Sequence, residues 1–181
     1  MTSPDVISVV GYQDAGKTQV VEALVRCMCA SGLAVGVLKH DGHADSIAVP
    51  DWEKSGSDTA RVAQAGARWT MVASRRGWLL HDWATAPSGV DEWLRTMLQT
   101  IEAEGAHVDF LIVEGAKRSR LPKIAVVAER DELRHLVDAG VTDVVAVCWT
   151  REDVDVDVVE IPQFHLSAIE ELYTHLTKRV R

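Results

Sequence analysis

The residues with the clearest chemical meaning are Gly11-Tyr12-Gln13-Asp14-Ala15-Gly16-Lys17-Thr18. They match the pattern GxxxxGK followed by Ser or Thr at every fixed position, the signature of a phosphate-binding loop. Gly11 and Gly16 accept backbone angles that a Cβ would penalise, so successive N–H groups can curl around a phosphate. The main chain of Gln13, Asp14 and Ala15 supplies the rest of that cradle. Lys17 would bring an ammonium to the β- and γ-phosphates, and so counts as a catalytic as well as a binding residue. Thr18 would offer its hydroxyl to Mg²⁺. Asp14 puts a negative charge in the loop, which opposes phosphate binding unless its side chain points away.

Such a loop needs an acidic residue on the metal side, at the end of another buried strand. Glu114 stands there, closing the aliphatic run Val108–Val113, with Gly115 leaving room beside it. It is the candidate second metal ligand; the plainer alternative is a solvated strand-end carboxylate. Asp109 lies at the other end of that run, away from the phosphates. Lys39-His40-Asp41-Gly42-His43 follows a second strand and belongs at the same sheet edge. Asp41 could reach the metal or orient an attacking water, as could His40. His40, Asp41, His43 and Asp45 could also be read as a transition-metal cluster, but no Cys or other His is fixed nearby by spacing.

Three further groups carry charge. Asp58 could serve a second ligand or simply begin a helix. Lys117, Arg118, Arg120 and Lys123 put four cations into seven residues of an acidic chain. Lys117 and Lys123, with Lys39, are candidates for nucleotide phosphates or a second anion; a solvated loop is the alternative. Thr150-Arg151-Glu152-Asp153 loosely resembles the guanine-reading pattern N/T-K-x-D, with Asp153 as the carboxylate that would accept from guanine N1 and N2.

The elements that must position these residues are legible in outline. Val6–Val10 reads as a strand buried on both faces and Val108–Val113 as a core strand, with further strands at Leu33–Leu38, Ile124–Ala128 and Val144–Trp149. Helical periodicity appears at Val21, Leu24, Val25 and Met28; at Leu94, Met97, Leu98 and Ile101; and at Leu133, Leu136 and Val137, with a short helix at Thr59–Ala65. The β–α alternation predicts an α/β fold, a P-loop NTPase-type three-layer domain with a mostly parallel sheet. Trp69–Ala73 and Trp78–Trp83 read as an inserted β-hairpin, at about 68–84. Three of the six tryptophans fall there, a composition suited to a protein–protein surface. Residues 151–181 read as an edge strand over Asp153–Glu160 and a last helix opened by a Ser167–Glu170 capping box. The expected organisation is one domain over 1–181.

Composition bounds the rest. The 181 residues are 47% hydrophobic and 25% charged, which excludes disorder, collagen-like repeats and a coiled coil. A net charge of −8 argues against non-specific nucleic-acid binding. No apolar run is long enough to span a membrane, and the start of the chain does not read as a signal peptide, so the cytosol is expected. Cys27, Cys29 and Cys148 have no CxxC spacing and read as buried small hydrophobes.

Taken in order, Gly11–Thr18, Val37-Leu38-Lys39-His40-Asp41, Gly56-Ser57-Asp58-Thr59 with Ala65-Gly66-Ala67, Val113-Glu114-Gly115-Ala116-Lys117 and Pro122-Lys123-Ile124 resemble the MobB family, the molybdopterin-guanine dinucleotide biosynthesis adaptor proteins. The resemblance covers roughly residues 6–150. It implies a fold that binds GTP with Mg²⁺ and a homodimer formed partly through the sheet. It further implies a role beside a MobA-type nucleotidyltransferase in attaching GMP to molybdopterin, itself a potential ligand, with slow GTP hydrolysis. Lys17 and Thr18 carry over as phosphate and Mg²⁺ contacts and Glu114 as the metal-side carboxylate. Lys39, Asp41 and Asp58 carry over only as lying near the site. Gln19 departs from the family pattern, in which a second Thr is common there. The reading from a different class is an ATP-dependent small-molecule kinase, with residues 117–123 holding the acceptor.

Overall fold

The computed structural model describes residues 3–40, 56–83, 89–151 and 160–179. In chain order the elements are β1 (Asp5–Val10), α1 (Lys17–Ala30), β2 (Val35–Lys39), α2 (Asp58–Gln64), β3 (Trp69–Ser74), β4 (Gly77–Asp82), α3 (Val90–Ala103), β5 (Phe110–Glu114), β6 (Lys123–Val127), α4 (Arg130–Asp138), β7 (Val144–Trp149), β8 (Gln163–His165), a 3₁₀ turn (Leu166–Ala168) and α5 (Ile169–Arg179). They form two compact units, Met1–Asp41 with Trp93–Arg181, and Gly42–Glu92. The second unit takes in α2 with the β3–β4 hairpin.

The first unit is built on six strands in the order β2-β5-β1-β6-β7-β8, and every pairing is parallel. Parallel strands need helical crossovers, so both faces are covered and the strands read as aliphatic runs. β5 and β6 are buried at every position. On one face Ile7, Val9, Phe110, Ile112 and Ile124 pack with Leu24 and Met28 of α1 and Leu172 and Leu176 of α5. On the other, Val10, Ala125, Val127, Val147 and Trp149 pack with Leu136 of α4. Met97 of α3 approaches Gly36 and Leu111, and Leu111 alternates with Ile112 to this second face. The result is the expected three layers.

Because the strands are parallel, their carboxyl ends share one edge. Gly11, Lys39, Glu114 and Thr150 all leave the sheet there. The sheet order also changes direction at β1, whose neighbours are β5 and β6. That crevice is where open α/β sheets take ligands.

In the second unit α2 packs against β3. Ser57 caps α2 by accepting from the Ala60 N–H at 3.1 Å. β3 and β4 pair antiparallel from Trp69↔Asp82 to Ser74↔Gly77, leaving Arg75 and Arg76 as the turn. Trp83 Nε1 donates to Thr70 Oγ1 at 2.8 Å, and Arg68 reaches both carboxylate oxygens of Asp82 at 3.3 Å. Trp69, Met71, Val72, Trp78, Leu79 and Leu80 are nevertheless exposed.

Several expectations need correction. Cys148 is buried, and burial pushes its thiol up to about 12. Cys27 is only half-buried and Cys29 is exposed. They sit two apart on α1, so both cannot share its apolar face. Val137 is 54% exposed, because α4 turns Leu136 to the core instead. Ser167 lies inside the 3₁₀ turn, ahead of α5. The capping box found in the fold is Glu129 with Glu132, at the start of α4. The expected strand over Asp153–Glu160 lies mostly outside the described residues; β8 follows it. Among the described residues no helix is long and apolar enough to cross a membrane.

Candidate functional site

The Gly11–Thr18 loop joins β1 to α1, as its sequence requires. Gly16 is the residue before the helix, at φ 88°, and no side chain caps the helix there. The first N–H groups of α1 therefore face the loop, with the positive end of the helix dipole behind them. A Cβ on Gly16 would lie 2.8 Å from Thr150 Cγ2. Glycine is thus demanded twice, by backbone angle and by space. Asp14 also has positive φ, 60°, and its side chain is exposed. Gln13 is exposed as well, and Ala15 is buried.

Lys17 Nζ donates to the Tyr12 carbonyl at 2.5 Å, which holds the ammonium within the loop. Thr18 Oγ1 donates to Glu114 Oε1 at 3.0 Å. Lys39 Nζ lies 3.9 Å from the same carboxylate oxygen. Glu114 is nearly buried, and its backbone is fixed on both sides. The His40 N–H donates to its carbonyl at 2.9 Å, and the next residue, Gly115, donates to the Val9 carbonyl at 2.9 Å. Gly115 has φ 102°, and a Cβ there would meet the His40 carbonyl oxygen at 2.7 Å. The Ser8 hydroxyl donates to the Gly115 carbonyl. Three stretches far apart in sequence, residues 8–18, 39–40 and 114–115, thereby set one carboxylate beside one hydroxyl.

Two oxygen ligands of this kind suit Mg²⁺, which takes few protein donors and fills its octahedron with phosphate oxygens and water. Among the described residues there is no cluster of three or more His, Cys, Asp or Glu able to hold a metal ion. Of the proposed transition-metal cluster only His40 is described. Asp41 and Asp153 also lie outside the described residues.

The basic stretch divides. Lys117 Nζ sits over the Tyr12 ring, 4.4 Å from its centroid. Burial holds its ammonium below the ordinary lysine value, and the nearby Lys17 charge adds to that. Arg118 and Arg120 are exposed. Lys123 is fully buried and donates to the Ser119 and Leu121 carbonyls at 2.6 and 2.9 Å. It is an internal brace of its own loop, not an outward cation awaiting a ligand. Asp58, in the second unit, is the first residue of α2, fully exposed and 3.7 Å from Arg61; this is the helix-terminal role. Asp109 accepts from the Ala34 N–H at 2.7 Å, at the opposite end of β5 from Glu114.

Sequence reasoning did not find Tyr12, Ser8 or the packing role of Thr150. Thr150 donates from its backbone N–H to the Val127 carbonyl at 3.0 Å, and from its hydroxyl to the Ala15 carbonyl at 3.2 Å. Only its place in the weak Thr150–Asp153 pattern pointed to it.

A parallel sheet of this order, with GxxxxGKT between its first strand and helix, defines a P-loop NTPase-type α/β protein. Residues 6–150 match the family model for molybdopterin guanine dinucleotide synthesis protein B. The chain belongs to that MobB family, the adapter proteins of molybdopterin guanine dinucleotide biosynthesis. It is 28% identical over 168 residues to a probable molybdopterin-guanine dinucleotide biosynthesis adapter protein of Bacillus subtilis, covering 88% of this chain and 84% of the relative. The Escherichia coli adapter is 29% identical over 133 residues, covering 73% and 69%. The crystal structure of Bacillus subtilis MobB superposes with a TM-score of 0.74 at 25% identity, covering 94% of this chain and 97% of that one. The MobB homolog of Bacillus stearothermophilus shares the fold, with a TM-score of 0.67 at 23% identity over 97% of each chain.

Proposed function

We propose that this adapter binds GTP with Mg²⁺ in the Gly11–Thr18 loop, beside a MobA-type nucleotidyltransferase that transfers GMP to molybdopterin. The observation that carries the reading is the Thr18–Glu114 contact at the mouth of a loop that also holds Lys17. The N–H groups of the loop and of the α1 start would receive the phosphates, and Lys17 would add a charge. Thr18 and Glu114 would hold Mg²⁺, which would neutralise charge on the β- and γ-phosphate oxygens. Glu114 is engaged by both Thr18 and Lys39, so it does not stand free as a base for water. Hydrolysis by the adapter alone is therefore expected to be slow, because a supplied Arg is worth ~10³ or more in rate. The kinase alternative loses support, since Lys123 is an internal residue and cannot help hold an acceptor.

Calorimetry with GTP, ATP and GDP, with and without Mg²⁺, tests this reading. GTP with Mg²⁺ should bind tightest, and Lys17→Ala should weaken it by about 100-fold, the worth of a strong charged contact. Absence of affinity for any purine triphosphate would refute the site. Equal affinity for ATP, with phosphate passed to a small acceptor, would favour the kinase.

The hairpin supports a homodimer. Trp69, Met71, Val72, Trp78, Leu79 and Leu80 include neighbouring positions, so apolar groups are exposed on both faces of a two-stranded sheet. Such a ribbon is marginal alone, and an apolar surface of this kind marks an interface. Sedimentation of the wild type should show a dimer. Trp78→Ser with Leu79→Ser should raise the dimer dissociation constant by at least about 10-fold; a monomeric wild type would refute the dimer.

A further inference from the structure

We propose that Tyr12 is a positioning residue that seats Lys117 against the loop. Lys17 and Lys117 then form a two-ammonium clamp that distinguishes a nucleoside triphosphate from a diphosphate. The inference rests on the reading of Gly11–Thr18 as a triphosphate site and deepens it.

The contact follows from the sheet register. Val9 of β1 is paired with Glu114 of β5 in parallel. Tyr12 lies three residues beyond the first and Lys117 three residues beyond the second, so the two chains leave the same edge side by side. Tyr12 packs against the apolar cluster that includes Val10, Val127 and Leu136. Lys117 covers the ring with its ammonium 4.4 Å from the centroid, well within cation–π range. Lys17 is held on the carbonyl of the same tyrosine. One residue thus organises both cations.

Both ammonium groups gather around one tyrosine, Lys117 on its ring and Lys17 on its carbonyl. Burial first, and then the Lys17 charge, disfavours the Lys117 ammonium in this half-buried place, a cost that a bound anion would relieve. The turn that delivers Lys117 passes through Ala116, a buried non-glycine residue at φ 61°. Such backbone angles cost free energy and cluster where a ligand is gripped. Paired ammonium groups suit the γ-phosphate of a triphosphate, which lies one phosphate farther out and adds a negative charge. A diphosphate carries less charge and ends one group sooner. Lys117 would in this way supply, within the same chain, part of the charge stabilisation that other phosphate-binding loops receive from an added arginine. A second anionic ligand held by Lys117 is the competing occupant, and it predicts no triphosphate preference.

The test is calorimetric titration of wild type, Lys117→Gln, Lys117→Arg, Tyr12→Leu and Tyr12→Phe with GTP and with GDP, Mg²⁺ present. Thermal melting confirms that each variant is folded. Wild type should prefer GTP. Lys117→Gln and Tyr12→Leu should each cut the GTP-to-GDP affinity ratio by about 10-fold or more, the scale of a charged hydrogen bond. GDP affinity should change by less than about 3-fold, given the exposure Lys117 retains. Tyr12→Phe keeps the ring and should keep the ratio; Lys117→Arg keeps the charge and should restore most of it. A merely structural tyrosine would lower both affinities together. Equal losses for GTP and GDP, or an unchanged ratio in Lys117→Gln, overturn this inference while leaving nucleotide binding intact. A wild type that binds neither nucleotide overturns both.

Discussion

Replacing Lys123 by alanine is expected to lower the stability of the fold by about 3 kcal/mol, which for a chain of this size moves the melting temperature by roughly 6–12 °C. The side chain is fully buried at the start of β6. Its ammonium satisfies the Ser119 and Leu121 carbonyls, closing the loop that follows Glu114. Alanine would leave a cavity and two carbonyls without a donor. Lys123→Met fills the cavity and should lose only about 1–2 kcal/mol, the share of the carbonyls. The pH dependence has a defined sign. Burial holds the Lys123 ammonium below its ordinary value, against a smaller opposing effect of Asp143. In the alkaline range just below the ordinary lysine pKa the unfolded chain binds more protons than the native one. This group therefore makes stability rise with pH there, and the gap between wild type and Lys123→Met should widen. Cys148 acts in the opposite direction, because its thiol keeps its proton to about 12 in the fold and loses it earlier when unfolded. That contribution is common to both proteins and cancels in the difference. Denaturant melts of the two proteins at neutral and alkaline pH measure it; a Lys123→Ala variant as stable as wild type would show that the brace is not structural.

Lys123 also shows where the sequence stops being informative. Its neighbours in the chain are Pro122 and Ile124, and three other cations precede it within seven residues. Nothing local separates a buried lysine from a solvated one. The difference is made by residues 119–121 folding back so that their carbonyls meet the ammonium, and by β6 beginning one residue earlier than its aliphatic run suggests. A register shift between Lys123 and Ile124 in the pairing with β7 accompanies this. Tertiary placement, not residue type, decided the role.

The loop itself was legible because its signal is local. Gly16, Lys17 and Thr18 occupy fixed positions along a short segment, and the strand before and helix after have strong periodicity. Glu114 was legible for a related reason: an aliphatic run ending in a carboxylate places that carboxylate at the carboxyl edge. What no local pattern could supply is the pairing of segments. Tyr12 meets Lys117 only because β1 and β5 are neighbours in register, although β2, the second unit and α3 intervene in the chain. Likewise Thr150 reaches Ala15 across the whole domain. Cys27 and Cys29 depart from expectation for a simpler reason: composition says how often cysteine is buried, but helix geometry decides which of two residues, two apart, can be.

Substituting Gly16 by alanine is expected to weaken binding of GTP with Mg²⁺ by about 100-fold or more. Two separate costs combine. The first is conformational: at φ 88° a Cβ is disfavoured by about 1 kcal/mol or more, whatever the space around it. The second is steric: the new methyl would lie 2.8 Å from Thr150 Cγ2. Thr150 cannot simply withdraw, since its N–H holds the Val127 carbonyl and its hydroxyl holds the Ala15 carbonyl. The relief must come from the loop or from the start of α1, and either movement would turn the amides away from where the proposed site would hold phosphates. The two costs can be separated by a double variant. Thr150→Ser removes Cγ2 and keeps the hydroxyl, so Gly16→Ala with Thr150→Ser should regain the steric part, roughly 10-fold in affinity, and keep the conformational part. Thr150→Ser alone should bind within about 3-fold of wild type, because the hydrogen bonds remain. If the double variant binds no better than Gly16→Ala alone, crowding against Thr150 is not what fixes glycine at this position. If Gly16→Ala binds like wild type, the amides of this loop are not the phosphate cradle.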